Sequence, residues 1–171
     1  MWFFTGKGDS GDSNLFDGQR LPKSDQIFEL IGTLDEATAS IGFCISLVGN
    51  EKLKDQLTEI QDHLSKLMGI IAGADNRVIG PRFNHEDALE KIETMTQEYG
   101  RQSENPNAFI YAGISTLGAS FDISRTIIRR AERVAVRALE SSTERKKILA
   151  YINRLSSLFY ILRLKNDQEN S

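Results

Sequence analysis

The chain has 171 residues, 40% apolar and 26% charged, which suits one domain with a substantial core. A formal net charge of −3 argues against nucleic acid as a partner, since such binders carry a basic surplus. A single cysteine, Cys44, excludes an internal disulfide, and with only His63 and His85 neither a Cys/His zinc cluster nor a histidine-based catalytic centre is expected.

The opening Met1-Trp2-Phe3-Phe4 is apolar but too short for a signal peptide and lacks a charged leading region. No apolar run approaches the roughly 20 residues that a membrane span needs. A cytoplasmic chain without a membrane partner is expected. Next, Thr5-Gly6-Lys7-Gly8-Asp9-Ser10-Gly11-Asp12-Ser13 combines glycines, hydroxyls and a lysine. Glycines let amide N–H groups converge on anionic oxygens, and Lys7 adds charge. Gly6, Gly8 and Gly11 satisfy G-x-G-x-x-G, but no strand precedes them and no βαβ unit follows, so the dinucleotide reading is rejected. Composition alone serves a phosphate-wrapping loop and a flexible arm equally well.

From about residue 25 to 48, Ile27, Leu30, Leu34, Ala37, Ile41, Cys44 and Val48 recur in steps of three and four, a helical seam capped by Ser24 or Asp25. Asp35 and Glu36 follow seam residue Leu34, and their plainest role is a solvated edge. A second helix, about 51–72, repeats Leu53, Leu57, Ile60, Leu64, Leu67 and Ile71. A third, more polar one follows Asn84, with Ala88, Ile92, Met95 and Tyr99 on one face. A loop, 100–114, leads to a fourth helix at about 115–141. The fifth, about 143–166, carries Ile148, Ile152, Leu155, Phe159 and Leu162, with Thr143 placed to cap it. The three prolines, Pro22, Pro81 and Pro106, all fall between these patterns, and no segment alternates with period two. An all-α, five-helix up-and-down bundle follows, with residues 1–24 as an N-terminal loop, 25–166 as the bundle and 167–171 as a frayed tail.

The fourth helix carries five arginines and no lysine. At about 100° per residue, Asp122, Arg125, Arg129 and Glu132 form one stripe, flanked by Arg130, Arg133 and Arg137. Ile127, Ile128, Ala131, Val134, Ala135 and Ala138 lie opposite and must face the core. The stripe therefore faces solvent or another subunit. Such a stripe serves as a solvated face with intrahelical pairs, or as a phosphate or carboxylate reader, for which the planar guanidinium is suited. Asn153 and Arg154 sit between the apolar positions of the fifth helix.

In this order the pieces TGKGDSGDSNLF (5–16), DGQRLPKSD (17–25), GTLDEATASIG (32–42), NAFIYAGIS (107–115), RTIIRRAER (125–133) and AYINRLSSLFYIL (150–162) resemble the PduO-type ATP:cob(I)alamin adenosyltransferases. The resemblance implies a homotrimer of five-helix bundles with active sites between subunits. ATP would be held by Thr5, Gly6, Lys7, Gly8, Asp9, Gly11 and Ser13, with Lys23, Arg130 and Asn153 nearby. Arg125 resembles the arginine that pairs with an aspartate, here Asp35, across the interface. Arg129 and Glu132 match residues at the nucleotide and its metal-associated phosphates, with Mg²⁺ bound mainly by ATP. Phe109 resembles the phenylalanine that helps displace the lower axial ligand of cobalamin. In the implied reaction Co(I) attacks C5′ of ATP and triphosphate leaves, so the protein needs no nucleophile of its own. Its tasks are orientation and stabilisation of the leaving charge. A reductase and an adenosylcobalamin-dependent enzyme are implied partners.

This chain departs from the family pattern at Gly6, Thr38, Ala112, Ile114, Asp122 and Ser157. The departures keep open a trimeric ATP- or cobalamin-binding carrier or regulator with weakened catalysis. A helical module docking an acidic partner through its arginines is a third reading.

Overall fold

A computed structural model describes residues 6, 8–75, 83–104, 106 and 110–170. Thr5, Lys7 and Phe109 lie outside the described residues.

Among the described residues five helices carry the fold: α1 Gln26–Leu47, α2 Glu51–Ile71, α3 His85–Gly100, α4 Thr116–Ala138 and α5 Arg145–Glu169. Polar side chains start four of them. Asp25 accepts a hydrogen bond from the Ile27 amide, Asn50 from Leu53, Asn84 from Glu86, and Ser115 from Gly118. Thr143 does not cap α5; the helix starts after Glu144, whose amide donates to Ser142 Oγ at 3.2 Å. The helix also runs past 166, where the bundle was expected to end. Helix α5 continues through Glu169 with Asp167 only 2% exposed, because Asp167 pairs with Arg163 one turn earlier.

The helices pack in the order α2, α1, α4, α5, α3. Leu30, Leu34, Ala37, Ile41 and Cys44 of α1 meet Phe121, Ile128, Ala131 and Ala135 of α4 and Leu155, Phe159 and Leu162 of α5 in one core. Phe121 and Phe159 stack edge to face, 6.0 Å between ring centres. Helix α1 is long and apolar enough to cross a membrane by length and composition alone, but in this fold its Leu30, Leu34, Ala37, Ile41 and Cys44 are buried in the core while Phe43 is exposed.

The ring closes differently between α2 and α3. Lys52 pairs with Glu98, Lys91 with Glu59, and Tyr99 Oη donates to Gln56. At one end of this seam is a cavity of about 550 Å³, lined by Glu59, His63, Lys66, Phe83 and Lys91 among others. His63 Nδ1 lies 3.1 Å from the hydroxyl of fully buried Tyr151. Phe83 stands edge-on to both His63 and His85.

Burial pushes the pKa of His63 and of His85 below the usual histidine value, and the carboxylates of Glu59 and Glu144 respectively offset this only in part. The unfolded chain therefore binds more protons than the folded one between the two values. Full stability is expected above about pH 6.5, the ordinary histidine pKa, with a loss as pH falls through the lower folded-state values. Thermal melts across pH 5–8 check this, and His63→Gln should flatten the slope.

Candidate functional site

Two short strands, Asp12–Asn14 (β1) and Arg20–Pro22 (β2), form an antiparallel hairpin with Ser13 opposite Leu21. The Asp17-Gly18 turn reverses the chain, with Gly18 in the left-handed region (φ 89°) and Asp17 Oδ1 accepting from the Gln19 amide. The hairpin is fixed to the end of α2, since the Phe16 amide donates to the Ala72 carbonyl at 2.8 Å. Before it, the Asp9 N–H donates to the Gly6 carbonyl and the Gly11 N–H to the Gly8 carbonyl. Just after β2, the Lys23 amide donates to the Gly11 carbonyl at 2.8 Å. That fold-back sets the Lys23 ammonium over Gly8, where a β-carbon would come within 2.9 Å of Nζ. Gly6, Gly8, Asp9, Gly11, Ser13 and Lys23 are thus gathered on one hairpin. Arg20, which the sequence reading passed over, joins them by reaching Ser10 Oγ at 3.2 Å and pairing with Asp12 at 3.5 Å. Its position across from Asp12–Asn14 became legible only once the hairpin was formed.

The second group is on α4. Its apolar arc is buried as expected at Ile128, Ala131, Val134 and Ala135, which turns the arginines outward. Within the chain Arg125 pairs with Asp122 of its own helix at 2.8 Å, while Asp35, its expected partner across a subunit interface, lies exposed on α1. The carboxylate one turn earlier is the nearer partner, at the position where the sequence departs from the family pattern. Arg130 pairs with Glu36, tying α4 to α1. Arg129 is exposed, and among the described residues its guanidinium has no ion-pair partner. Glu132 accepts from Asn153 Nδ2 at 2.9 Å, while Asn153 Oδ1 accepts from Arg154 Nη1 at 2.8 Å, so the amide is held between them. Arg154 is itself paired with Glu93 of α3 at 3.0 Å.

The arrangement offers an ammonium over a glycine turn on one element, and an exposed guanidinium beside an oriented carboxylate on another. Both suit a polyanion. Among the described residues no group of three or more His, Cys, Asp or Glu side chains is placed to hold a metal ion.

A family model, cobalamin adenosyltransferase, matches residues 3–166. The corrinoid adenosyltransferase PduO of Salmonella typhimurium is 30% identical over 99% of this chain, which spans 51% of that protein's length. The corrinoid adenosyltransferase MMAB of Mus musculus is 30% identical over 98% of the chain and 74% of its own length. A phenylalanine-to-alanine variant of the PduO-type ATP:corrinoid adenosyltransferase from Lactobacillus reuteri, solved with cobalamin and ATP, superposes with a TM-score of 0.87 at 27% identity. That alignment covers 98% of this chain and 94% of the other. With the match running from residue 3 through the hairpin and Asn153 to residue 166, the chain belongs to the cobalamin adenosyltransferase family.

Proposed function

We propose that the chain transfers the 5′-deoxyadenosyl group of ATP to a reduced corrinoid, cob(I)alamin, and releases triphosphate. One observation carries the reading. The two motifs RTIIRRAER and AYINRLSSLFYIL meet in space through the Glu132–Asn153 hydrogen bond, beside exposed Arg129.

In this reading the glycine segment before the hairpin (Gly6, Gly8, Asp9, Gly11), Ser13 and Lys23 hold the phosphates, with Thr5 and Lys7 on the same segment. Arg129, Arg130 and Glu132 serve the nucleotide, Asn153 orients Glu132, and Phe109 is assigned to the corrinoid by the resemblance. The cobalt lone pair forms the bond to C5′ while the C5′–O5′ bond breaks, and its electrons stay on the triphosphate. Preorganised cations are the residues' main service, since they need not reorganise as that charge develops. A magnesium ion would be held by phosphate oxygens with Glu132 as the protein carboxylate nearby. The charge it neutralises supplements that of the arginines.

The hairpin's hydrogen bonds run within itself and to the end of α2, while the α4 side chains bond to α1, α4 and α5. This supports a homotrimer in which the hairpin of one copy faces α4 of the next, with Asp35 free to meet Arg125 across the junction. Cytoplasmic placement, and a reductase and an adenosylcobalamin-dependent enzyme as partners, belong to the same proposal. Mixing inactive Lys23→Ala and Arg129→Ala chains should restore part of the activity, because some junctions then carry both native residues. No recovery after verified subunit exchange would place the whole site within one chain.

The Asp122–Arg125 pair favours a second reading, a carrier or regulator with weakened catalysis, because it occupies the charge otherwise left for the junction. Anaerobic absorbance on mixing ATP, protein and cob(I)alamin separates the two. Loss of the cob(I)alamin band with matching triphosphate release marks the enzyme. Nucleotide binding without release marks the carrier.

A further inference from the structure

The last turns of α5 grip the α3–α4 connection at three points. Gln168 clasps Glu104, its Oε1 accepting from the Glu104 amide at 3.0 Å and its Nε2 donating to the Glu104 carbonyl at 2.7 Å. Arg163 Nη2 donates to the carbonyls of Ile110 and Tyr111 at 3.3 and 2.6 Å. Asn166 donates to Ser115 Oγ, the group that caps α4.

Arg163 is 3% exposed, and Asp167, which pairs with it at 2.6 Å, is 2% exposed. Burying such a pair is costly, and a bundle that needed only packing would place apolar side chains here. What the pair supplies instead is donors for loop carbonyls that lie outside any helix or strand. Two side chains of the held segment, meanwhile, stand at the surface: Tyr111 is 81% and Ile114 49% exposed. Residues 110–115 contain no charged side chain, so they suit an apolar ring edge rather than the phosphates served by Lys23 and Arg129.

The geometry points to Arg163, supported by Asp167, as a positioning residue for the corrinoid half of the reaction. It fixes residues 110–115 so that Tyr111 and Ile114 present an apolar surface to the corrinoid. The inference rests on the reading that the segment following Phe109 lies at the corrinoid.

The test uses the full chain and steady-state kinetics with cob(I)alamin and ATP varied separately, alongside amide hydrogen exchange. Arg163→Met is combined with Asp167→Asn so that neither charge is stranded. The corrinoid KM should rise at least tenfold with the ATP KM within twofold, and exchange should quicken across 104–115 alone. Arg163→Lys, which keeps the charge and a donor, should recover part of the loss. Should the double variant not fold, Tyr111→Ala with Ile114→Ala still decides, because these surface changes should raise the corrinoid KM without altering exchange. Equal changes in both KM values, or an unchanged corrinoid KM in the surface pair, overturns the inference. The underlying reading fails separately if Phe109→Ala leaves the corrinoid KM unchanged.

Discussion

Arg129→Ala is expected to lower turnover by about 10³-fold while the melting temperature stays within a degree or so. The guanidinium is exposed on the outer stripe of α4 and supports no ion pair among the described residues, and surface changes away from special features cost little stability, within about 0.5 kcal/mol. Its proposed work is to meet negative charge that grows on the triphosphate as C5′ is transferred. Loss of one preorganised donor of that kind costs about 10²–10³ in rate, and a full cation at a site removed from water stands at the upper end. The assay is anaerobic formation of adenosylcobalamin, with circular dichroism as the check on folding. Arg129→Lys should recover only a fraction, since a point charge replaces a planar fork. Near-parental turnover in the alanine variant would falsify the assignment.

Gly118→Ala is the change with the largest expected effect on stability. Gly118 lies in the first turn of α4, and an added β-carbon would overlap Asp167 Oδ1 and come within 3.0 Å of Ser115 Oγ. Alanine is ordinarily the better helix former by about 1 kcal/mol, so propensity alone points the other way. Overlap wins because the carboxylate has nowhere to go. It is buried, paired with Arg163, and beside the amide end of α4, whose dipole favours a negative charge there. Overpacking costs about 1–3 kcal/mol, and displacement of the carboxylate from its buried partner adds to that. A net loss of about 3 kcal/mol is expected, which lowers the melting temperature by roughly 6–12 °C for a chain of this size. A melt equal to or above the parent's shows that Asp167 moves aside without cost.

The helices were legible because each buries a stripe at steps of three and four. Helix α1 was expected at 25–48 and runs Gln26–Leu47, and α2 was expected at 51–72 and runs Glu51–Ile71. The hairpin was not foreseen because three-residue strands are too short to show alternation. Its one local signal, Asp17-Gly18, lies in the 17–25 segment, where it was weighed only for the family resemblance. The buried Arg163 and Asp167 were missed for a related reason. Charged residues are taken as solvent-facing by default, and only their four-residue spacing hints that each can neutralise the other. The Glu132–Asn153 bond joins residues 21 apart on separate helices, so no local pattern could show it. Arg125 illustrates the converse, since Asp122 stands three residues before it in plain view.

The seam between α2 and α3 gives the bundle an uneven elasticity. Elsewhere neighbouring helices share interlocked hydrocarbon, which tolerates electrolyte. Here lysine–glutamate contacts at the surface join the Tyr99–Gln56 hydrogen bond, and dissolved ions screen those contacts, which individually add about 0–1 kcal/mol. Brine should therefore slacken this edge first and leave the α1–α4–α5 wall standing. The molecule then behaves less like a uniform barrel than like a book bound firmly along its spine, with its covers parting beside His63.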